Sequence, residues 1–234
     1  MTKLNFTFSV APEVLALGVT GVYLLIRGLH NRISDPDFDA HKMALWEKLK
    51  TTYSGDFVKK DPILQGFRDL HARVGRSNKT YPASPENLIK MLLRKGTISP
   101  INLVADIYNC VSLETRLALG AHDLEKIVGN VRLAITKGTE TFVPLGKGDP
   151  QPVGAGEYAY VDDSNEIICR LEHRQVEKTK VTLETKTCFY IIQGNPNTSL
   201  DYLMAAMHKL VEITKGYCGG EETLLWAHKH EVVF

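Results

Sequence analysis

Asn109, His122 and Asp123 bring an amide, an imidazole and a carboxylate into one short stretch, Ser99 to Gly146. That combination of groups can orient a water or hold a polar ligand. The spacing predicts a helix opened by Ser99 and Pro100, carrying Asp106 and Asn109 on neighbouring turns, then a bend at residues 120–123 that presents His122 and Asp123. The competing assignment is purely structural: Asp123 caps the short run LEKI and His122 is half-exposed beside it.

A second grouping lies between Arg170 and Lys186, where Arg170, His173, Arg174, Lys178, Lys180 and Lys186 form a row of cations that can steer RNA phosphates. Glu172, Glu177 and Glu184 are interleaved with them, which is also how a solvated hairpin looks. His228 and His230 alternate as strand residues do, but no third ligand follows at a recognisable spacing, so neither a metal nor a cofactor is expected. The chain contains no phosphate-binding glycine loop, dinucleotide fingerprint or serine nucleophile elbow.

Composition narrows the function classes. Among 234 residues, 28 basic and 27 acidic side chains nearly cancel, so nucleic-acid binding has to come from a local patch, and DNA is not an expected partner. The four cysteines, Cys110, Cys169, Cys188 and Cys218, are too scattered for a disulfide scaffold or a zinc knuckle and read as buried thiols of a reducing compartment. The longest apolar run, Val14 to Ile26, is interrupted by glycine and threonine and is too short for a membrane helix. A cytoplasmic protein without a membrane partner is the expectation.

The elements that must position these groups read as an α+β fold. Alternation at Leu4, Phe6, Phe8 and Val10, then the β-branched run to Ile26, predict N-terminal strands. Asp35-Pro36 and Asp61-Pro62 open two helices, Ser84-Pro85 opens a third that stops at Gly96, and Ser199 caps a long last helix with Gly216 as its stop. Between them, GNVRLAI, ETFVPL, YAYVDDSNEIICRL and CFYIIQG read as strands, the third as a hairpin turning at residues 163–165.

The stretch from Ser99 resembles the tRNA-editing domain, called B3/4, of the phenylalanyl-tRNA synthetase beta subunit. Pro100, Ile101, Asn102, Asp106, Asn109 and Glu114 match that family's helix, and Asp123, Leu124, Gly129, Val131, Arg132 and Ala134 continue the match without a gap to Gly129. The resemblance covers about residues 84–218. It divides the chain into an N-terminal strand and helix extension, 1–80, and a B3/4-like unit, 81–234, built as a mixed or antiparallel sheet packed with helices, the two forming one compact unit.

The departures bear on chemistry. Where the family has P-x-H-x-F-D, this chain has Ala118, Leu119, Gly120, Ala121, His122 and Asp123, so the family's site histidine is Gly120 and a histidine returns two places later. The family's threonine before the asparagine is Tyr108, and CRLEHR stands where the family has a glycine pair. The family's selecting glutamate follows a V-x-x-x-T segment, matched by Val181 and Thr185; its counterpart is Gln193 in CFYIIQG or, in another register, Glu184.

The resemblance implies a free-standing editing hydrolase that cleaves the ester of a misacylated tRNA, with the aminoacyl-tRNA 3′ end and its amino acid as partners, and no aminoacylation. On this reading Asn109, His122 and Gln193 carry the chemistry. Tyr108, Gly120, Ala121, Glu184 and Gly194 shape the substrate pocket, and Arg170 and Arg174 meet the RNA. The alternative is a non-catalytic module that holds a free amino acid or related small molecule in the same pocket.

Overall fold

Aspartate-proline pairs start the N-terminal helices because the carboxylate accepts the free amides of the first turn while proline has none to leave unpaired. The computed structural model describes residues 6–227. In it Asp35 accepts from the amides of Asp37 and Phe38, and Asp61 from Leu64. In chain order the described elements begin β1 (Phe8–Val10), α1 (Pro12–Ala16), β2 (Thr20–Arg27), α2 (Pro36–Thr52), α3 (Gly55–Lys60) and α4 (Pro62–Arg73). Then come α5 (Ser84–Lys95), α6 (Leu103–Thr115), β3 (Ala118–Asp123), β4 (Val131–Ile135), β5 (Tyr158–Asp162) and β6 (Ile167–Arg170). The described elements close with β7 (Arg174–Gln175), β8 (Thr187–Gly194), α7 (Leu200–Cys218) and β9 (Glu221–Ala227).

The fold is α+β, with two sheets. One is ordered β1-β4-β5-β6-β7, with β1 parallel to β4 and the rest antiparallel; the other is antiparallel, β3-β8-β2-β9. Strand alternation gives the second sheet two apolar faces. Val22, Leu24, Ile26, Tyr190 and Ile192 pack under the helices, whereas Tyr23, Leu25, Phe189 and Ile191 pack against the first sheet. The result is three layers: helices, sheet, sheet. β2 lies between β8 and β9, so N-terminal residues run through the middle of this architecture.

Several local expectations change. Helix α6 begins at Leu103, because Asn102 caps it through the Ala105 amide, not at Ser99. The expected bend at residues 120–123 is strand β3: Arg116 takes the left-handed conformation (φ 59°) that ends α6, and residues 118–123 then pair along β8. ETFVPL contributes only isolated bridges at Thr141 and Pro144, and α7 runs past Gly216 to Cys218. The run after Pro12 folds as helix α1 followed by a single strand, β2. Among the described residues all four cysteines are buried and unpaired, and no helix is long and apolar enough to cross a membrane. Leu4, His228 and His230 lie outside the described residues.

Candidate functional site

The site is built around the tip of the β6–β7 hairpin, Leu171 to His173. Leu171 adopts the left-handed region (φ 51°), and the Ser84 amide at the start of α5 holds the Glu172 carbonyl at 3.0 Å. This tight reversal sends successive side chains to different places: Leu171 into the core between the sheets, Glu172 into the floor of a cavity, His173 and Arg174 to its mouth. The cavity, about 300 Å³, lies between α5, α6 and β3 on one side and β5–β7 and the end of β8 on the other. Leu88, Met91, Tyr108, Leu119, Leu145 and Ile191 give it apolar walls.

Its floor is a buried polar network. Glu172, only 6% exposed, accepts from the Tyr158 hydroxyl (2.7 Å) and the Gln193 amide (2.8 Å) at one oxygen, and the other lies 2.5 Å from His71 Nε2 on α4. Tyr160 donates to Gln193 Oε1 (2.6 Å), which leaves Tyr23 as donor to Tyr160 (3.2 Å). Burial pushes the His71 pKa down, but the Glu172 carboxylate outweighs it and the net shift is upward, which favours the charged, ion-paired imidazole. Burial also holds the Tyr158 and Tyr160 hydroxyls well above the usual tyrosine range, which keeps both as donors. Cys169 lines the same cavity, yet burial raises its thiol and its Sγ donates to the Leu171 carbonyl, so it is no ready nucleophile.

The mouth has different properties. Asn109, half-buried on α6, has a side-chain amide without a protein partner among the described residues. His173 places Nδ1 2.8 Å from the Pro82 carbonyl, and a carbonyl can only accept, so Nδ1 carries the proton and Nε2 keeps its lone pair. No described group bonds that Nε2. Burial above all, helped by the charges of Arg174 and His71, holds His173 below the usual histidine range and therefore neutral at pH 7.

His173 and Arg174 also line a second, more open cavity of about 490 Å³, with Tyr81, Phe142, Pro144, Lys147, Gln151, Pro152 and Arg170. Arg170 is a wall here. Its guanidinium meets Glu157 twice (2.6 and 2.7 Å) and stands 5.0 Å from the Tyr81 ring centre and 5.8 Å from that of Phe142. Arg76 binds the same carboxylate, so the charge of Arg170 is already compensated. Arg174 is exposed and donates only to the Leu145 carbonyl (2.8 Å).

The structure thus brings Asn109, Tyr108, Gly120, Gln193 and Arg174 to one cavity and leaves the other expected site residues elsewhere. His122 is fully buried: Nδ1 meets the Thr179 hydroxyl at 2.8 Å, Nε2 has no partner, and burial drives its pKa down to about 3. Strand pairing, in place of the expected bend, is what seals it. Asp123 is a cap, accepting from the Glu125 amide at the head of a 3₁₀ turn, Leu124–Lys126, and from Thr185. Ala121 points into the helix-side core, Glu184 is exposed in a turn, and Gly194 backs onto Thr20 and Thr198. Glu172 and His71, which organise the floor, carry no signal in the sequence: Glu172 sits among alternating charges, and its partner is far away in the chain. A side chain at position 120 would meet the Gln175 amide, since a Cβ there lies 2.4 Å from Nε2.

Comparisons agree with this architecture. A family model described as "B3/4 domain" matches residues 66–212. The crystal structure of an N-terminal fragment of the phenylalanyl-tRNA synthetase beta subunit from Pyrococcus horikoshii superposes with a TM-score of 0.52 at 16% identity, covering 94% of this chain. The chain spans about half of that fragment, 51%, so the likeness is one of fold. No curated protein matches.

Proposed function

The chain belongs to the B3/4 domain family, and from that premise we propose that it is a trans-acting hydrolase that cleaves the ester of a misacylated tRNA. One observation carries the reading: a smaller, apolar-walled cavity and a larger, more open, aromatic and cationic one meet at a shared edge, His173 and Arg174. A ligand spanning both has a side-chain-like end and a nucleotide-like end. An aminoacyl ester at an RNA 3′ end has that form, with the amino acid in the smaller cavity over Gln193 and the terminal nucleotide against Tyr81 and Lys147. Asn109 then supplies a free amide at the reacting centre, able to orient a water or donate to the ester carbonyl. Arg174 stands where the RNA enters.

The test is a panel of tRNAs charged with correct and incorrect amino acids. Accelerated ester loss from at least one of them is expected, and no loss above the buffer rate for any sinks the reading. A second reading, a binding module for a free amino acid or related small molecule, is favoured by the sealing of His122 and by Gly120 at the family's histidine position. It predicts a rise in melting temperature with a free amino acid and no salt-sensitive tRNA binding.

A further inference from the structure

We infer that His173 is the general base of this site, a histidine supplied from the β6–β7 hairpin tip to a cavity whose β3 wall carries none. The inference rests on the hydrolytic reading above. Three observations support it. His173 lines both cavities at their common edge, where an ester joining an amino acid to a ribose has to lie. Its ring is fixed at two points, by Nδ1 on the Pro82 carbonyl (2.8 Å) and by an edge-to-face contact with Tyr81 at 5.6 Å and 83°, so Nε2 is held in place with its lone pair free. On β3, Gly120 at the cavity wall lacks a side chain, and His122, away from the cavity, is sealed against Thr179.

The step balances without a co-reactant. Nε2 takes a proton from a water while that water's oxygen bonds to the ester carbonyl carbon. The tetrahedral intermediate then breaks its bond to the ribose oxygen, which receives the proton back from Nε2. The products are a free amino acid and a tRNA with its terminal hydroxyl restored. Asn109, on the cavity's opposite wall, is a free donor for the developing oxyanion.

The groups that face His173 are Arg174, Glu172 and Arg170 on its own hairpin, Tyr81 and the Pro82 carbonyl from the linker, His71 from α4, and Lys147 in the open cavity. Burial first, then the charges of Arg174 and His71, outweigh the Pro82 carbonyl and Glu172 and favour the neutral imidazole, the form a base needs.

The experiment uses the full chain and an aminoacyl-tRNA that it deacylates, comparing wild type with His173→Asn and His173→Ala. Asn keeps a side-chain N–H in the place of Nδ1 for the Pro82 carbonyl but has no base. Both variants should lose about 10²–10⁴-fold in kcat/KM. In wild type the rate should climb with pH to a plateau, with a midpoint below 6.5, and that limb should vanish in the variants. His71 is shifted the other way, upward, so its titration moves away from that limb. Affinity for a non-hydrolysable 3′-amide analogue of the aminoacyl-tRNA should stay within about threefold. If wild type deacylates and His173→Asn keeps its rate and pH profile, this inference falls and the hydrolytic reading stands. Loss of rate together with loss of analogue binding makes His173 a structural residue and overturns the inference. A wild type inactive on every aminoacyl-tRNA overturns both.

Discussion

Two buried polar nests flank strand β8, and they have opposite outlooks. At one end, opposite Phe189, His122 closes on Thr179 while Asp123 binds Thr185 and a backbone amide. At the other, Gln193 joins Glu172, Tyr158, Tyr160 and His71 beneath a cavity. The first nest spends its polar groups on tying the 179–185 loop to β3, and it excludes charge from its histidine. The second holds an ionic pair where a ligand can approach. A histidine with a suggestive neighbour is therefore no guide to a site; what distinguishes the two nests is whether space remains over them.

Removing one partner of the ionic pair should have the largest effect. Glu172→Ala leaves His71 buried without its counter-charge and strips acceptors from Tyr158 and Gln193, at a cost of about 3–5 kcal/mol in chemical denaturation. His122→Leu removes one hydrogen bond and strands the Thr179 hydroxyl, at about 1–2 kcal/mol. If the two variants lost equal stability, the floor would be no more than a second structural nest.

The same contrast explains how much could be read from the sequence. Helix starts at Asp35, Asp61 and Ser199 were legible because each cap is local, a side chain on amides two or three residues ahead. The cavity positions of Asn109 and Tyr108 were within reach of the family pattern, whose register runs ungapped along α6, whereas Gln193 was one of two registers, Glu184 being the other. The 120–123 stretch misled because glycine, alanine, histidine and aspartate read as a bend, while pairing with β8 decides its conformation. Glu172 was hidden for a related reason. Whether a carboxylate in a charged hairpin is solvated or buried depends on a histidine on α4, and no local pattern reports it.

The two histidines should also pull stability in opposite directions with pH. His71 has a raised native pKa, so its contribution is complete below the unfolded value of about 6.5 and is lost as pH rises through the native pKa. His122 has a native pKa lowered to about 3, so the unfolded chain binds its proton first and stability falls as pH drops from about 6.5 towards 3. Denaturation midpoints followed across pH should show His122→Leu flattening the acid limb, and Glu172→Ala abolishing the decline as pH rises through the native pKa of His71. An acid limb unchanged in His122→Leu would mean that the ring is not sealed.

A milder change touches the cavity without touching either nest. In Gly120→Ala the new Cβ meets only the tip of Gln175, a flexible side chain, and the strand conformation accepts alanine. The expected cost is below about 1 kcal/mol, roughly 2–4 °C or less in melting temperature. A larger loss would show that Gln175 is locked in place and belongs to the floor.

The smallest effect separates Arg174 from Arg170, neighbours on one hairpin that the sequence treats alike. Arg174 is exposed at the junction with one carbonyl partner, so Arg174→Ala should leave stability within about 0.5 kcal/mol while weakening tRNA binding at all salt concentrations. On the proposed reading its loss removes one phosphate contact, and the slope of log K against log salt should fall in magnitude by about 0.7–0.9. Arg170→Ala should do the reverse. Glu157 would keep only Arg76 and the aromatic wall would lose its guanidinium, so folding suffers while the salt slope of the folded protein stays unchanged. Equal slopes for both variants would show that the RNA does not enter at the junction of the two cavities, and the division between a structural and a ligand-facing arginine would fail with it.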